Sequence, residues 1–316
     1  MSRLFRDVEG GPLCPQGSVV CIGAFDGLHL GHRALVRHAA ARARDLGVAA
    51  VALSFEPLPR EFFSEHAPPA RLTMPRDKVR SLFALDVDRV GLLRFDARLA
   101  AMTAEDFVRS VLVDRLSAKE VWVGPGFRFG QGRSGDLDAL QSLGRTHGFD
   151  AAAIEPVLAD GQPISSTRVR QALSAGDFVQ ASRLLGRSYC IGGRVVRGNA
   201  LGRTLGFPTA NLRFDSRKPP LNGVFATRVH GLGAHARPSV SSLGTRPTVG
   251  GTEPLLEAHV FDFDDDIYGR CIEVEFVAKL RDEAHFSDLP ALVAQMHRDA
   301  ASARTLLDDF PRQAYA

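Results

Sequence analysis

The chain is poor in lysine. Lys78, Lys119, Lys218 and Lys279 are the only ones among 39 basic residues, and the arginines that make up the remainder are interleaved with 36 acidic residues. The formal net charge is only +3 and no basic block occurs. This argues against a nucleic-acid partner, whose binding draws on a clustered basic stripe. No Gly-Lys pair exists, so a Walker A phosphate loop is excluded. Cysteine is scarce as well. Cys14, Cys21, Cys190 and Cys271 show no C-x-x-C spacing, which excludes a zinc knuckle, a redox motif and a disulfide framework. No apolar run approaches the ~20 residues of a membrane span. The N-terminal stretch "MSRLFRDVEGGPLCPQG" holds no apolar segment of signal-peptide length. These absences predict a soluble cytoplasmic protein with no membrane partner.

What is present is apolar material for two cores: 45% of 316 residues are hydrophobic, and that length favours two domains. The first half alternates short apolar runs with helical patterns. "SVVCIG" (18–23), "VAAVALSF" (48–55), "RVGLLRF" (89–95), "EVWVG" (120–124) and "AAAIEPV" (151–157) read as strands. Leu35, Val36, Ala39, Ala40, Ala43 and Leu46 mark one helix face, and further helical stretches fall near 76–85, 104–116 and 136–147. Such alternation predicts an α/β domain with a doubly wound parallel sheet, and ligands of such sheets bind at the carboxyl ends of the strands. Past residue 187 short β-like runs alternate with Gly and Pro, predicting a small antiparallel barrel closed off by a terminal helix. The expected division is 1–186 and 187–316.

"GAFDGLHLGH" (23–32) lies at the carboxyl end of the first of these strands, where the helix begins. A helix N-terminus offers unpaired N–H groups and a partial positive charge, and so attracts anions. His29 and His32, three residues apart, can donate N–H bonds to phosphate oxygens there. Gly23, Gly27 and Gly31 let the backbone approach a ligand. A purely structural turn and a zinc site are the alternatives; neither H-E-x-x-H nor a matching Cys/His set accompanies the pair. A phosphate site of this kind suits nucleotidyl transfer, which needs alignment and charge stabilisation rather than an enzyme nucleophile. A second helix start, "PISSTRVRQAL", offers Ser165, Ser166 and Thr167 as caps beside Arg168 and Arg170. It reads as a capped helix or as the second jaw of a triphosphate clamp. Gly130 to Gly135 matches G-x-G-x-x-G, but its loop is too long and polar for a tight dinucleotide turn.

In the second half, "GGRVVRGNALGRTLGFPTANL" (192–212) places Gly198, Gly202 and Gly206 ahead of Thr209 and Asn211. Backbone N–H groups of such a loop can cradle phosphates, and the hydroxyl and amide can reach phosphate or Mg²⁺ ligands. Glycine-rich barrel corners are the alternative.

"GAFDGLHLGH" and "ISSTRVR" resemble the H-x-G-H signature and second phosphate motif of the bacterial bifunctional riboflavin kinase/FMN adenylyltransferases, or FAD synthetases. "GRTLGFPTAN", "NGVFATRV", "GTRPTVGGT", "LLEAHVFDFDDDIYG" and "LRDEAHF" follow in that family's order. The resemblance spans nearly all of residues 15–309. It implies that riboflavin is phosphorylated to FMN by the second half, and FMN adenylylated to FAD by the first, with ATP as substrate of both and Mg²⁺ as cofactor. By the same resemblance His29 and His32 form the catalytic pair of the transferase. Gly23, Phe25, Asp26, Gly31, Ser166, Thr167 and Arg168 bind its nucleotide. In the kinase Glu257 is the catalytic base, Thr209 and Asn211 hold Mg²⁺ and ATP phosphates, Gly198, Gly202 and Gly206 bind nucleotide, and Arg281 and Phe286 close over the flavin. The family carries Asp or Asn at the position of Gly126. The expected partners are small molecules alone (riboflavin, FMN, ATP), and a homo-oligomer is left open.

Overall fold

A computed structural model of the chain describes residues 3–65, 67–198, 201–214, 218–245 and 254–309. It forms two compact units: Met1–Pro69 with Pro75–Ser165, and Ala70–Met74 with Ser166–Ala316.

The first unit holds a six-stranded sheet. Its strands are β1 (Leu4–Phe5), β2 (Ser18–Ile22), β3 (Ala49–Glu56), β4 (Arg89–Arg94), β5 (Ala118–Val123) and β6 (Asp150–Ala153), in the order β1-β4-β3-β2-β5-β6. Every neighbouring pair is parallel. The chain therefore winds outward from β2 through β3 to β4, then returns to β2's other side for β5 and β6. That reversal opens a crevice at the carboxyl ends of β2 and β5, the place where doubly wound sheets bind ligands. β2 is apolar throughout because it is buried on both faces. Val19 and Cys21 pack under helices α1 (Leu30–Leu46) and α2 (Pro75–Phe83), against Leu35, Val36, Ala39, Ala43 and Leu82. Val20 and Ile22 face the opposite layer, with Val108, Leu112 and Leu140. Each such side chain contributes about 1.5–3 kcal/mol of burial free energy, so the register of β2, and with it the start of α1, is strongly specified. Helix α3 (Leu137–His147) covers β6.

The main segment of the second unit opens with α4 (Ser166–Ser174) and α5 (Phe178–Leu185) and continues into six antiparallel strands. A two-stranded hairpin precedes it in the first unit, β7 (Leu158–Ala159) and β8 (Gln162–Pro163). The barrel strands are β9 (Cys190–Arg194), β10 (Ala210–Arg213), β11 (Gly223–His230), β12 (Arg237–Thr245), β13 (Pro254–Val260) and β14 (Cys271–Arg281), in the order β10-β13-β12-β11-β14-β9. A bridge between Val196 and Asn211 joins the two outer strands, so the sheet closes on itself. The terminal helix α6 (Leu289–Asp309) seats Ala303 and Leu307 on Val224, Ala226, Val240 and Phe261. Parallel sheet, barrel and terminal helix are the architecture the patterns predict. The two-residue β1 is not legible in "RLF", which is too short to show alternation. Residues 246–252 of "GTRPTVGGT" and residues 199–200 of the glycine-rich segment lie outside the described residues.

Candidate active sites

The turn after β2 is tightly wound. Phe25, Gly27 and Leu28 have φ of 47°, 85° and 44°, and the two non-glycine residues hold this left-handed conformation only because they are packed on all sides. Phe25, Asp26, Leu28 and His29 are all buried. His29 caps α1: its Nδ1 accepts the His32 backbone N–H at 3.3 Å. A neutral imidazole that accepts through Nδ1 carries its proton on Nε2, so the cap leaves His29 with one ring donor. The His29 and His32 rings stack at 3.7 Å and 16°, and Phe25 meets the His32 ring edge-on at 5.4 Å. Burial pushes His29 down to about 4. His32 is also held well below its ordinary value, first by burial, then by His29 and by Lys78. Both rings are therefore neutral near pH 7 and act as hydrogen-bond donors rather than charges. His32 Nδ1 is buried with no hydrogen-bond partner among the described residues. Gly31 packs closely against the cap: a Cβ there would stand 3.3 Å from the His29 ring, which would have to give by a few tenths of an ångström, and 3.7 Å from the Ile164 carbonyl.

Ser166, Thr167 and Arg168 form the first turn of α4, where backbone N–H groups lack intrahelical partners. Arg170 is committed elsewhere, donating to the Ala70 carbonyl at 2.6 Å. Gly126 has φ of 69° and open space at its Cβ position.

In the barrel, Glu257 on β13 sits directly between Asn211 of β10 and Ser242 of β12. It lines two cavities. The larger, about 540 Å³, is walled by Ser242, Leu255, Arg281, His285, Phe286 and Leu292; the smaller, about 180 Å³, by Phe207, Thr209, Ser241, His259 and Met296. Arg281 borders both. Glu257, Thr209 and Arg281 are thus brought to one place, and Phe286 joins them 5.7 Å from the Arg281 guanidinium. The glycines serve closeness more than openness. A Cβ at Gly198 would collide with the Asn211 amide, and one at Gly202 with the Phe207 carbonyl, 3.6 Å from Thr209 Oγ1. Residues Leu201–Thr204 make a single helical turn in what reads as an extended loop. Gly206, at φ 80°, has open space around it. Asn211 is buried, and its Oδ1 has no hydrogen-bond partner among the described residues. An orphaned amide oxygen two residues from a threonine hydroxyl offers hard-oxygen donors of the kind Mg²⁺ takes.

Two residues at this site escape sequence reasoning. His259 follows Glu257 by two, so strand alternation puts both on one face, which is a usable signal; its Nδ1 lies 2.9 Å from the Pro208 carbonyl. Asp299 gives no local signal. It reaches from α6 to grip Arg281, accepting from Nε at 3.0 Å and from Nη2 at 2.7 Å, while Gln295 donates to it at 2.8 Å. Asp299→Asn keeps the shape and removes the charge. Charged hydrogen bonds contribute about 1.5–3 kcal/mol, so we expect the riboflavin KM to rise at least about tenfold, with FAD formation from supplied FMN unchanged. Steady-state kinetics on the two substrates separates these outcomes.

Residues 12–168 match the FAD synthetase family and residues 185–307 match riboflavin kinase. The bifunctional riboflavin kinase/FMN adenylyltransferase of Escherichia coli K12 is 44% identical over 96% of this chain and 97% of its own length. This chain belongs to the bifunctional riboflavin kinase/FMN adenylyltransferase family. The relative of that name from Haemophilus influenzae is 39% identical over 97% of the chain and 99% of its own. Among solved structures, a Streptococcus pneumoniae protein described as a macrolide-efflux protein superposes with a TM-score of 0.78 at 30% identity, covering 95% of this chain and 98% of its own. Among the described residues of this family member no helix is long and apolar enough to cross a membrane.

Proposed function

We propose how the chain performs the two activities of its family, with residues 1–186 transferring adenylyl groups and residues 187–316 phosphorylating riboflavin. The chain is a riboflavin kinase and an FMN adenylyltransferase. Riboflavin takes the γ-phosphoryl group of ATP to give FMN; FMN then takes the adenylyl group of a second ATP to give FAD and pyrophosphate. The observation that carries this reading is the match of both halves, in order, to the two families, together with a bifunctional relative 44% identical over 96% of the chain.

In adenylyl transfer an FMN phosphate oxygen attacks the α-phosphorus of ATP and pyrophosphate leaves, so negative charge shifts over the phosphoryl oxygens. Donors already aimed at that charge lower the barrier. His29 Nε2–H, His32 and the open amides of α1 are such donors, and Gly23, Phe25, Asp26 and Gly31 shape the turn that holds them. Ser166, Thr167 and Arg168 bind phosphate at the start of α4. In the kinase the ribityl hydroxyl attacks, and Glu257 accepts its proton as the new P–O bond forms. Arg281 and Phe286 hold the flavin, the ring of Phe286 stacking on isoalloxazine. Thr209 and Asn211 would hold Mg²⁺, which neutralises charge on the ATP phosphates, with Gly198, Gly202 and Gly206 giving the loop its close approach. The expected setting is the cytoplasm, with small-molecule partners.

Riboflavin incubated with MgATP should give FMN first and FAD later, resolved by chromatography and by the fall in flavin emission as FAD forms. Accumulation of FMN with no FAD at any time would refute the assignment of adenylyl transfer.

A further inference from the structure

Beneath the turn that joins β2 to α1 lies Lys78, a residue of α2 whose side chain is fully buried. An ammonium removed from water costs several kcal/mol unless polar atoms replace its hydration. Here those atoms include the turn itself. Lys78 Nζ donates to the Ala24 carbonyl at 2.8 Å and to Ser54 Oγ at 3.4 Å. Ser54, on β3, donates its own hydroxyl to the same carbonyl at 3.1 Å. The Ala24 oxygen is thus drawn inward from two elements at once. A trans peptide is planar, with its carbonyl and N–H opposed, so the Phe25 amide is turned away from the lysine. Phe25 is also one of the two non-glycine residues held left-handed in this turn.

We propose that Lys78 is a positioning residue for adenylyl transfer: it anchors the Ala24 carbonyl so that the Phe25 amide faces the nucleotide phosphates, and it sets a fixed positive charge behind the histidine pair. This rests on the assignment of that pair to adenylyl transfer. The charge has a clear use. Two neutral imidazoles supply donors but no net charge, whereas a triphosphate brings several negative ones. The groups that bear on His32 are His29 from the cap and Lys78 from α2, and Asp26 is buried in the same turn. A cation behind the pair also helps to keep His32 neutral, since it opposes protonation of that ring.

Lys78→Met keeps the length of the stem and removes the charge. FMN adenylylation at saturating ATP should fall about 100-fold, the scale of one lost oxyanion donor, while riboflavin phosphorylation keeps the parent rate. The acid limb of the adenylylation profile should move to higher pH, because loss of the neighbouring cation lets His32 protonate more easily; a merely structural lysine would not move it. The single tryptophan, Trp122 on β5, reports folding of this unit in urea. Ser54→Ala is the milder companion. It removes one of the two donors to Ala24 and no charge, so it should cost about fivefold in rate with the acid limb in place. Adenylylation within twofold of the parent in Lys78→Met, or in Ser54→Ala should the first variant not fold, overturns the proposal. So does a lost rate with an unmoved limb in Lys78→Met. The His29→Ala, His32→Ala double variant is run alongside. Full activity there would mean that the site assignment itself has failed; activity lost there but kept in Lys78→Met would refute this inference alone.

Discussion

Alanine at both His29 and His32 should stop flavin synthesis at FMN. Removal of one preorganised donor to developing phosphoryl charge slows such reactions about 10²–10³-fold. Here both imidazoles go, and with them the cap that holds the His32 amide. We expect adenylylation to drop at least about 10³-fold, and riboflavin phosphorylation to continue at the parent rate, because Glu257, Arg281 and both cavities that Glu257 lines belong to the barrel unit. FMN then accumulates in a reaction that would otherwise run to FAD. The single variants should differ. His29→Ala loses cap and donor together, whereas His32→Ala loses a ring stacked on His29 at 3.7 Å and leaves the His32 amide in place. Parent-rate FAD formation by the double variant would sink the site assignment.

Glu257→Ala should give the mirror image. A positioned carboxylate that accepts a proton from an attacking hydroxyl contributes about 10²–10⁴-fold to rate, so riboflavin phosphorylation should fall by that factor. FAD formation from supplied FMN should be untouched. Glu257→Gln separates chemistry from shape: it keeps the side chain between Asn211 and Ser242 but cannot take the proton, and it should be as slow as the alanine variant. A glutamine enzyme close to the parent rate would show that Glu257 orients substrate without accepting its proton.

The parts of this molecule legible in its sequence are those built from local pattern. β2 is read correctly because burial on both faces makes it uniformly apolar, and α1 because its buried positions recur at helical spacing. The His pair is visible because a strand-to-helix turn is itself a local event. Lys78 is hidden for the opposite reason. In "MPRDKVRSLF" a lysine among arginines and an aspartate reads as a solvated face, and only the layers above it bury it. Asp299 is hidden because its partner, Arg281, lies 18 residues away on another element. The glycine-rich loop also meets a demand that composition does not show: a Cβ at Gly198 would collide with the Asn211 amide and one at Gly202 with the Phe207 carbonyl. Glu257 carries no pattern of its own and is picked out through the family resemblance alone.

The histidine cap has a thermodynamic corollary. Because the His32 amide engages His29 Nδ1, the tautomer that presents Nε2–H is selected when α1 folds. The ring therefore carries its proton on Nε2 in advance, and it needs no internal proton shift before that N–H can donate. The entropy of aiming that donor is therefore spent once in the lifetime of the polypeptide rather than in every turnover.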